Sequence, residues 1–247
     1  MSLDLLRPGW QVAPRVQAAV SLRAGGVSLA PWDSLNVGAH VGDDRSAVTR
    51  NRALLHAALQ LPAQPLWLQQ VHGKAVHRVT GPPDGTITVA DAAVTRRPDV
   101  VLAILVADCL PVLLTDRRGE VIAAAHAGWR GLADGVLEAT VAAMDVPPEA
   151  LCAWLGPAIS QPHFEVGEEV RQAIVGQQPA AAAEFVRNKR GRWQCDLPGI
   201  ARRRLQSLGV STVVDCGLCT FEQRTRCYSF RRDGRTGRMA ALLWLRA

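Results

Sequence analysis

The chain has 247 residues, 48% of them hydrophobic and 20% charged, which supplies enough apolar material for one sizeable core and excludes a disordered chain. Its 28 basic residues exceed its 22 acidic ones, and all but two of the basic residues are arginine, the side chain suited to planar contact with phosphate or carboxylate. That surplus is spread without a basic block or an interleaved aromatic platform, so no nucleic-acid partner is expected and an anionic small molecule is the better fit.

The start MSLDLLRPGW lacks the basic and apolar regions of an export signal, and no stretch reaches the length of a membrane span. The expectation is a cytoplasmic protein with no membrane partner. Six cysteines in such a compartment are reduced thiols or ligands rather than a disulfide framework.

In chain order, DDRSAVTRNRALLHAALQL offers Asp and Ser caps, then Val48, Leu54, Leu55, Ala58 and Leu59 near helical spacing, which predicts a helix over 46–60. PLWLQQVHG reads as a strand ending at a glycine. From Asp99 to Gly128, three apolar runs broken by Pro111 and by a DRRG turn have the pattern of strands buried on both faces, the centre of a sheet. GLADGVLEATVAAM predicts one amphipathic helix that stops before Pro147 and Pro148.

Beyond it, LCAWLG and STVVDCG read as strands and VGEEVRQAIV and LPGIARRRLQSLG as helices. The alanine-rich QQPAAAAEF, residues 177–185, reads as the start of a helix after a loop. The closing CYSFRRDGRTGRMAALLWL reads as a hairpin about its Asp-Gly and Thr-Gly turns. No repeat or linker divides the chain, so residues 1–247 are taken as one domain, α+β or layered α/β with a mixed sheet. No GxGxxG or Walker loop is present.

QVHG, ADCLP and AHAGWRG set His72, Cys109 and His126 at three predicted strand ends, beside glycine or proline. Two imidazoles and a thiolate form the protein ligand set of a catalytic zinc, whose fourth position stays open. Each residue alone is equally a packed core residue, and no short zinc motif joins them. His40 in GAHVGDD is a candidate fourth ligand for a closed, purely structural site; His77, five residues after His72 on a strand, would face the other way. Cys216, Cys219 and Cys227 lack the second CxxC or His pair that would make them a metal site.

Together, SLRAGGVSLAPWDSLNVGAHVGDD, WLQQVHGKAV, ADCLPVLLTD, AAHAGWRGLADGVLE, WLGPAISQPHFEVGEEV and CYSFRRDGRTGRMAALLWL resemble the YfiH-like family, long labelled laccase-domain or polyphenol oxidase proteins and now described as purine nucleoside phosphorylases. The resemblance runs in order from about Ser21 to the C-terminus. It implies a single α/β/β/α-type layered α+β domain with mixed sheets, similar to cytotoxic-necrotizing-factor folds. It also implies a catalytic metal site of His72, Cys109 and His126 holding Zn2+, with Cu2+ as the alternative ion. The implied partners are purine nucleosides and phosphate; the sequence leaves the oligomeric state open, with a monomer favoured. The implied reactions are phosphorolysis of adenosine, inosine and methylthioadenosine to base and ribose 1-phosphate, and deamination of adenosine.

An open zinc makes water nucleophilic near neutral pH, which suits attack on C6 of adenine but does not account for glycosidic cleavage. For phosphate, Arg130 with Gly128 and Gly131 at the helix start near Leu132 is one candidate seat. Arg23, Arg231, Arg232 and Arg238 are others. Asn36, Asp91 and Asp108 are candidates for orienting the ribose or the ligands. A multicopper oxidase needs about ten histidines. This chain has six and no His-x-His pair, so only a single copper ion fits. A rival reading uses Cys109 as nucleophile and His126 as base in a hydrolase or amidase, to which the resemblance adds cell-wall precursor editing.

Overall fold

The structure, a computed structural model, describes residues 3–82 and 85–246. Strands β1 (Leu5–Leu6) and β2 (Val16–Ser21) precede helix α1 (Arg45–Leu59), and β3 (Pro65–Trp67), β4 (Val76–Val79), β5 (Ala92–Thr95), β6 (Val101–Val106), β7 (Leu110–Asp116) and β8 (Ile122–Ala127) follow it. The second half runs α2 (Trp129–Asp134), α3 (Val136–Met144), β9 (Leu151–Leu155), β10 (Glu165–Val166), α4 (Glu168–Val175), β11 (Phe185–Arg187), β12 (Trp193–Cys195), α5 (Leu197–Ser207), β13 (Thr212–Asp215), α6 (Phe230–Asp233) and β14 (Met239–Leu245). No described helix is long and apolar enough to cross a membrane.

Two mixed sheets dominate, one in the order β1-β2-β14-β6-β3 and one in the order β13-β9-β7-β8-β5-β4; β10, β12 and β11 form a third, small sheet. The two-residue period of a strand decides what each face meets. Along β6, Val101, Ala103 and Leu105 pack with Leu55 and Leu59 of α1, while Leu102, Ile104 and Val106 face the six-stranded sheet. Along β8, Ile122 and Ala124 face the five-stranded sheet, while Ala123, Ala125 and Ala127 pack with Leu132, Leu137, Val141, Ile200 and Leu205 of the helices beyond. The layers are therefore α/β/β/α. This explains why the runs between Asp99 and Gly128 carry no polar alternation: both faces of their sheets are covered.

Four expectations are corrected. The single helix over GLADGVLEATVAAM is two, because Gly135 takes φ 91° and its N–H closes onto Gly131 and Leu132 carbonyls, ending α2 in a left-handed cap. The alanine-rich segment makes tight turns over Pro179–Glu184 and leads into β11, not into a helix. The strand predicted for PLWLQQVHG stops at Trp67, and His72 lies in the loop beyond.

The terminal hairpin does not form either. Ser229 caps α6 by accepting the Arg232 N–H, and the Arg232 guanidinium donates to the carbonyls of Thr220, Phe221 and Cys227. With the first half so committed, β14 pairs instead with β2 and β6.

Leu113 of β7 is fully buried in the layer between the sheets. Leu113→Ala is expected to lower unfolding free energy by about 2–5 kcal/mol, measured by urea denaturation, because the surrounding sheets close a cavity only in part.

Candidate metal centre and its cavity

The loop after β3 is held at three levels. The Gln69 N–H donates to Thr88 O and its carbonyl accepts from Ala90 N–H, the Gln70 side chain pairs with both backbone groups of Leu105, and the N–H groups of Val71, His72 and Gly73 all donate to the Asp91 carboxylate. His72 sits at φ 62°, a left-handed conformation that non-glycine residues rarely adopt and that this anchoring enforces. Asp91 is fully buried, just before β5, on the parity of Ala93 and hence on the face turned to the other sheet. His126 lies on the matching parity of β8, with Ile122 and Ala124.

Asp91 Oδ1 accepts from His126 Nδ1 at 2.8 Å, and the Asp91 carbonyl accepts the His126 N–H at 2.7 Å. The bond at Nδ1 leaves Nε2 as the nitrogen for a ligand, the arrangement by which carboxylates orient metal-binding imidazoles. Cys109 occupies the short link between β6 and β7, preceded by Asp108 at φ 93°. Asp108 is locked by accepting from Thr220 Oγ1 and from the Arg231 N–H.

One ligand atom from each of His72, Cys109 and His126 lies within 4.8 Å of the others; Cys109 Sγ is 3.9 Å from His72 Nε2, and the two rings meet edge to face at 4.8 Å. A tetrahedral zinc holds such atoms about 3.3–3.6 Å apart, so modest contraction suffices. No fourth His, Cys, Asp or Glu joins them among the described residues, His40 and His77 included, which disfavours a closed structural site. A Cβ on Gly128 would stand 3.1 Å from Cys109 Sγ and 3.2 Å from His72 Cδ2, so glycine keeps this space clear.

Burial pushes the Cys109 thiol up, but the charge of His126 and hydrogen bonds from both imidazoles outweigh it and bring the thiol below its ordinary value. Burial pushes His126 down, and Cys109 and Asp91 more than reverse it. Each group of the pair thus favours the charged form of the other. Cys109, His72 and His126 line a cavity of about 870 Å³, of the size that holds small-molecule ligands. Leu66, Leu68 and Val106 form apolar walls, and Phe230 and Ile87 stand at its rim.

A sequence profile described as multi-copper polyphenol oxidoreductase laccase matches residues 17–246. The chain is 47% identical over 241 residues to an Escherichia coli protein named purine nucleoside phosphorylase YfiH, covering 98% of each. It is 50% identical over 241 residues to a Pseudomonas aeruginosa purine nucleoside phosphorylase, covering 97% of this chain and 98% of that one. The chain belongs to the YfiH family. The fold agrees: a Neisseria meningitidis crystal structure matches with TM-score 0.94 at 44% identity over 98% of this chain and 99% of its own. YlmD from Geobacillus stearothermophilus matches with TM-score 0.91 at 30% identity over 98% and 96%.

Within this YfiH-family site, most of the other predicted residues serve the scaffold. Asp91 does not reach a ribose, since its oxygens are taken by four N–H groups. Asp108 is likewise committed. Arg23 forms a two-pronged ion pair with Asp33 and lies over the Tyr228 ring. Arg231 donates to Glu165 O and packs on Phe164, and Arg232 is taken up by loop carbonyls and Asp233. Arg130 is exposed and stacked on Trp129, so with Gly128 and Gly131 it makes no phosphate seat on the cavity wall. Asn36 is buried, accepting the N–H groups of Gly38 and Arg238.

Of the arginines singled out, Arg238 alone lines the cavity, joined there by His40 and by Arg52, which sequence reasoning missed. Arg52 follows the buried Asn51 on α1 and reads as solvated helix surface; the Trp67 ring beneath it is a contact that no local pattern announces. Cys216, Cys219 and Cys227 do not gather. Burial pushes Cys216 up to about 11 and Cys227 up to about 12, and Cys219 lies with His163 and Glu222 instead.

Burial alone would raise the Asp91 carboxyl, but bonds from His126, Gly73 and Val71 hold it below its ordinary value. Its stabilising contribution is present above the unfolded aspartate value of about 3.9 and is lost as pH falls through the lower folded value. Asp91→Asn is expected to cost about 3–5 kcal/mol in urea unfolding at pH 7. The loss should shrink toward pH 3. Zinc affinity, read by competition with a chelating dye, should fall about 10–100-fold.

Proposed function

We propose that the chain is a one-domain, zinc-dependent purine nucleoside phosphorylase that cleaves adenosine, inosine and methylthioadenosine with phosphate to free base and ribose 1-phosphate, and that also deaminates adenosine to inosine. The observation that carries this reading is the convergence of two imidazoles and a thiolate, with no fourth protein ligand among the described residues, on the wall of a nucleoside-sized cavity. The names of the relatives support the reaction class.

His72, Cys109 and His126 would hold the ion, which when bound supplies a Lewis acid with one vacant position. The remaining work falls to the chain. Asp91 fixes the tautomer and direction of His126, and the Leu66, Leu68 and Val106 walls receive the flat purine and keep bulk water from the ribose. Three donors suit one ion and not a multicopper cluster, in agreement with six histidines and no His-x-His pair.

Zinc-loaded protein given adenosine and phosphate is expected to release adenine and ribose 1-phosphate; without phosphate it should yield inosine. Chelation, His126→Ala and Cys109→Ala should each reduce both products to background, and zinc should restore the chelated wild type alone. The lowered thiol also suits a Cys–His hydrolase. Activity that resists chelation but is lost to thiol alkylation would replace the zinc reading with that one. Phenol oxidation by the copper-loaded protein, with no nucleoside cleavage by the zinc form, would also overturn it.

A further inference from the structure

Most arginines that hold a fixed position here do so through a carboxylate: Arg23, Arg97, Arg202, Arg203, Arg204, Arg226 and Arg232 all lie in ion pairs. Arg52 and Arg238 do not. Both are half-buried on the wall of the cavity that holds the metal ligands, and neither forms an ion pair with a carboxylate among the described residues, although Asp108 and Cys109 act on Arg238 from farther off. Arg52 Nε donates to Val37 O at 2.9 Å and its guanidinium lies 4.0 Å from the centre of the Trp67 ring. Arg238 Nη1 donates to the carbonyls of Thr236 and Gly237, and its backbone N–H to Asn36 Oδ1.

Each cation is thus held in place by neutral contacts and lacks an ion-pair partner; burial acts alone on Arg52, and Asp108 and Cys109 offset only part of it at Arg238. Gly38 makes room for this, since a Cβ there would lie 2.7 Å from Arg238 Cγ. His40 completes the group at the pocket wall; partial burial, then the charges of Arg238 and Arg52, lower its pKa. Burial alone brings Arg52 down to about 10. Two cations partly removed from water without an ion-pair partner carry a desolvation cost, and an anion that reaches both relieves it.

We infer that Arg52, Arg238 and His40 form the seat of a phosphate oxyanion in the same cavity as the metal ligands. Guanidinium forks match the oxygens of phosphate, and three donors from separate segments suit a tetrahedral anion better than a planar carboxylate. Naming the anion as the phosphate co-substrate rests on the phosphorylase reading above; the seat itself rests on the two arginines that lack an ion-pair partner. The helix start at Gly128, by contrast, brings no cationic side chain into the cavity.

The test titrates zinc-loaded full-length protein with inorganic phosphate by calorimetry, in parallel with steady-state kinetics on adenosine. Arg52→Gln and Arg238→Gln should each weaken phosphate binding, and raise the KM for phosphate, by about tenfold or more, while the KM for adenosine changes less than about threefold. Arg52→Lys and Arg238→Lys should recover part of the loss, and Arg190→Gln, on an exposed side chain, should show none. Melting curves confirm folding, and the lysine variants keep the test open if a glutamine variant fails to fold.

Unchanged phosphate affinity in folded variants at both positions overturns the seat, even if wild type proves to be a phosphorylase. Phosphate binding that depends on both arginines, in a protein that cleaves no nucleoside, upholds the seat and sinks the phosphorylase reading instead. Adenosine 5′-monophosphate is the second arm: binding of the nucleotide with no response to free phosphate would overturn the assignment to a co-substrate.

Discussion

The Asp91 carboxylate, shut away from solvent, accepts the N–H groups of Val71, His72 and Gly73 and the Nδ1 of His126, so two segments that carry candidate metal ligands are referred to a single anion. A buried carboxylate with fewer donors would be unstable or protonated; with four it stays charged and fixes all of them. The left-handed backbone at His72 follows from this, because three successive N–H groups reach one acceptor only if the chain curls around it. A single carboxylate thereby determines both the direction of the His126 ring and the position of the His72 loop.

The two-layer sheet explains why the site lies where it does. Asp91 and His126 stand on the inter-sheet parity of β5 and β8, but at strand ends, where the apolar filling of the layer gives out and leaves a cavity. Cys109 comes to the same place from the β6–β7 link, which passes from one sheet to the other. The apolar part of the walls, Leu66, Leu68 and Val106, is therefore a continuation of the core. Such a pocket holds a flat, partly apolar ligand and raises the strength of every charge interaction inside it.

The short strands and helices were legible because they obey local rules. The runs of β6, β7 and β8 lack polar alternation, α1 has its Asp44 cap and α5 its Asp196 cap, and Pro147 and Pro148 follow α3 as expected. The misreadings have a common cause. RRDGRTG carries turn chemistry that suits a hairpin, but Ser229 and the loop carbonyls around Arg232 offered those groups better partners from distant segments. Arg23 and Arg231 looked like ligand contacts because they are arginines in a distinctive stretch, whereas Asp33 and Glu165 O had already satisfied them.

Residue order alone determined the apolar strands of the sheet centre, the capped start of α1, the proline stop after α3, and the family resemblance that singled out His72, Cys109 and His126. Those properties depend on neighbours a few positions away, or on motifs read whole. Tertiary structure decided the rest: that Asp91 is an internal anchor, that the three candidate ligand atoms share one space, and that Arg52 and Arg238 line a cavity with no ion-pair partner among the described residues. The reason is that a charge has no fixed role until its surroundings are known. The same guanidinium is a strut beside a carboxylate and a binding group beside an empty space, and only the folded chain determines which of the two it meets.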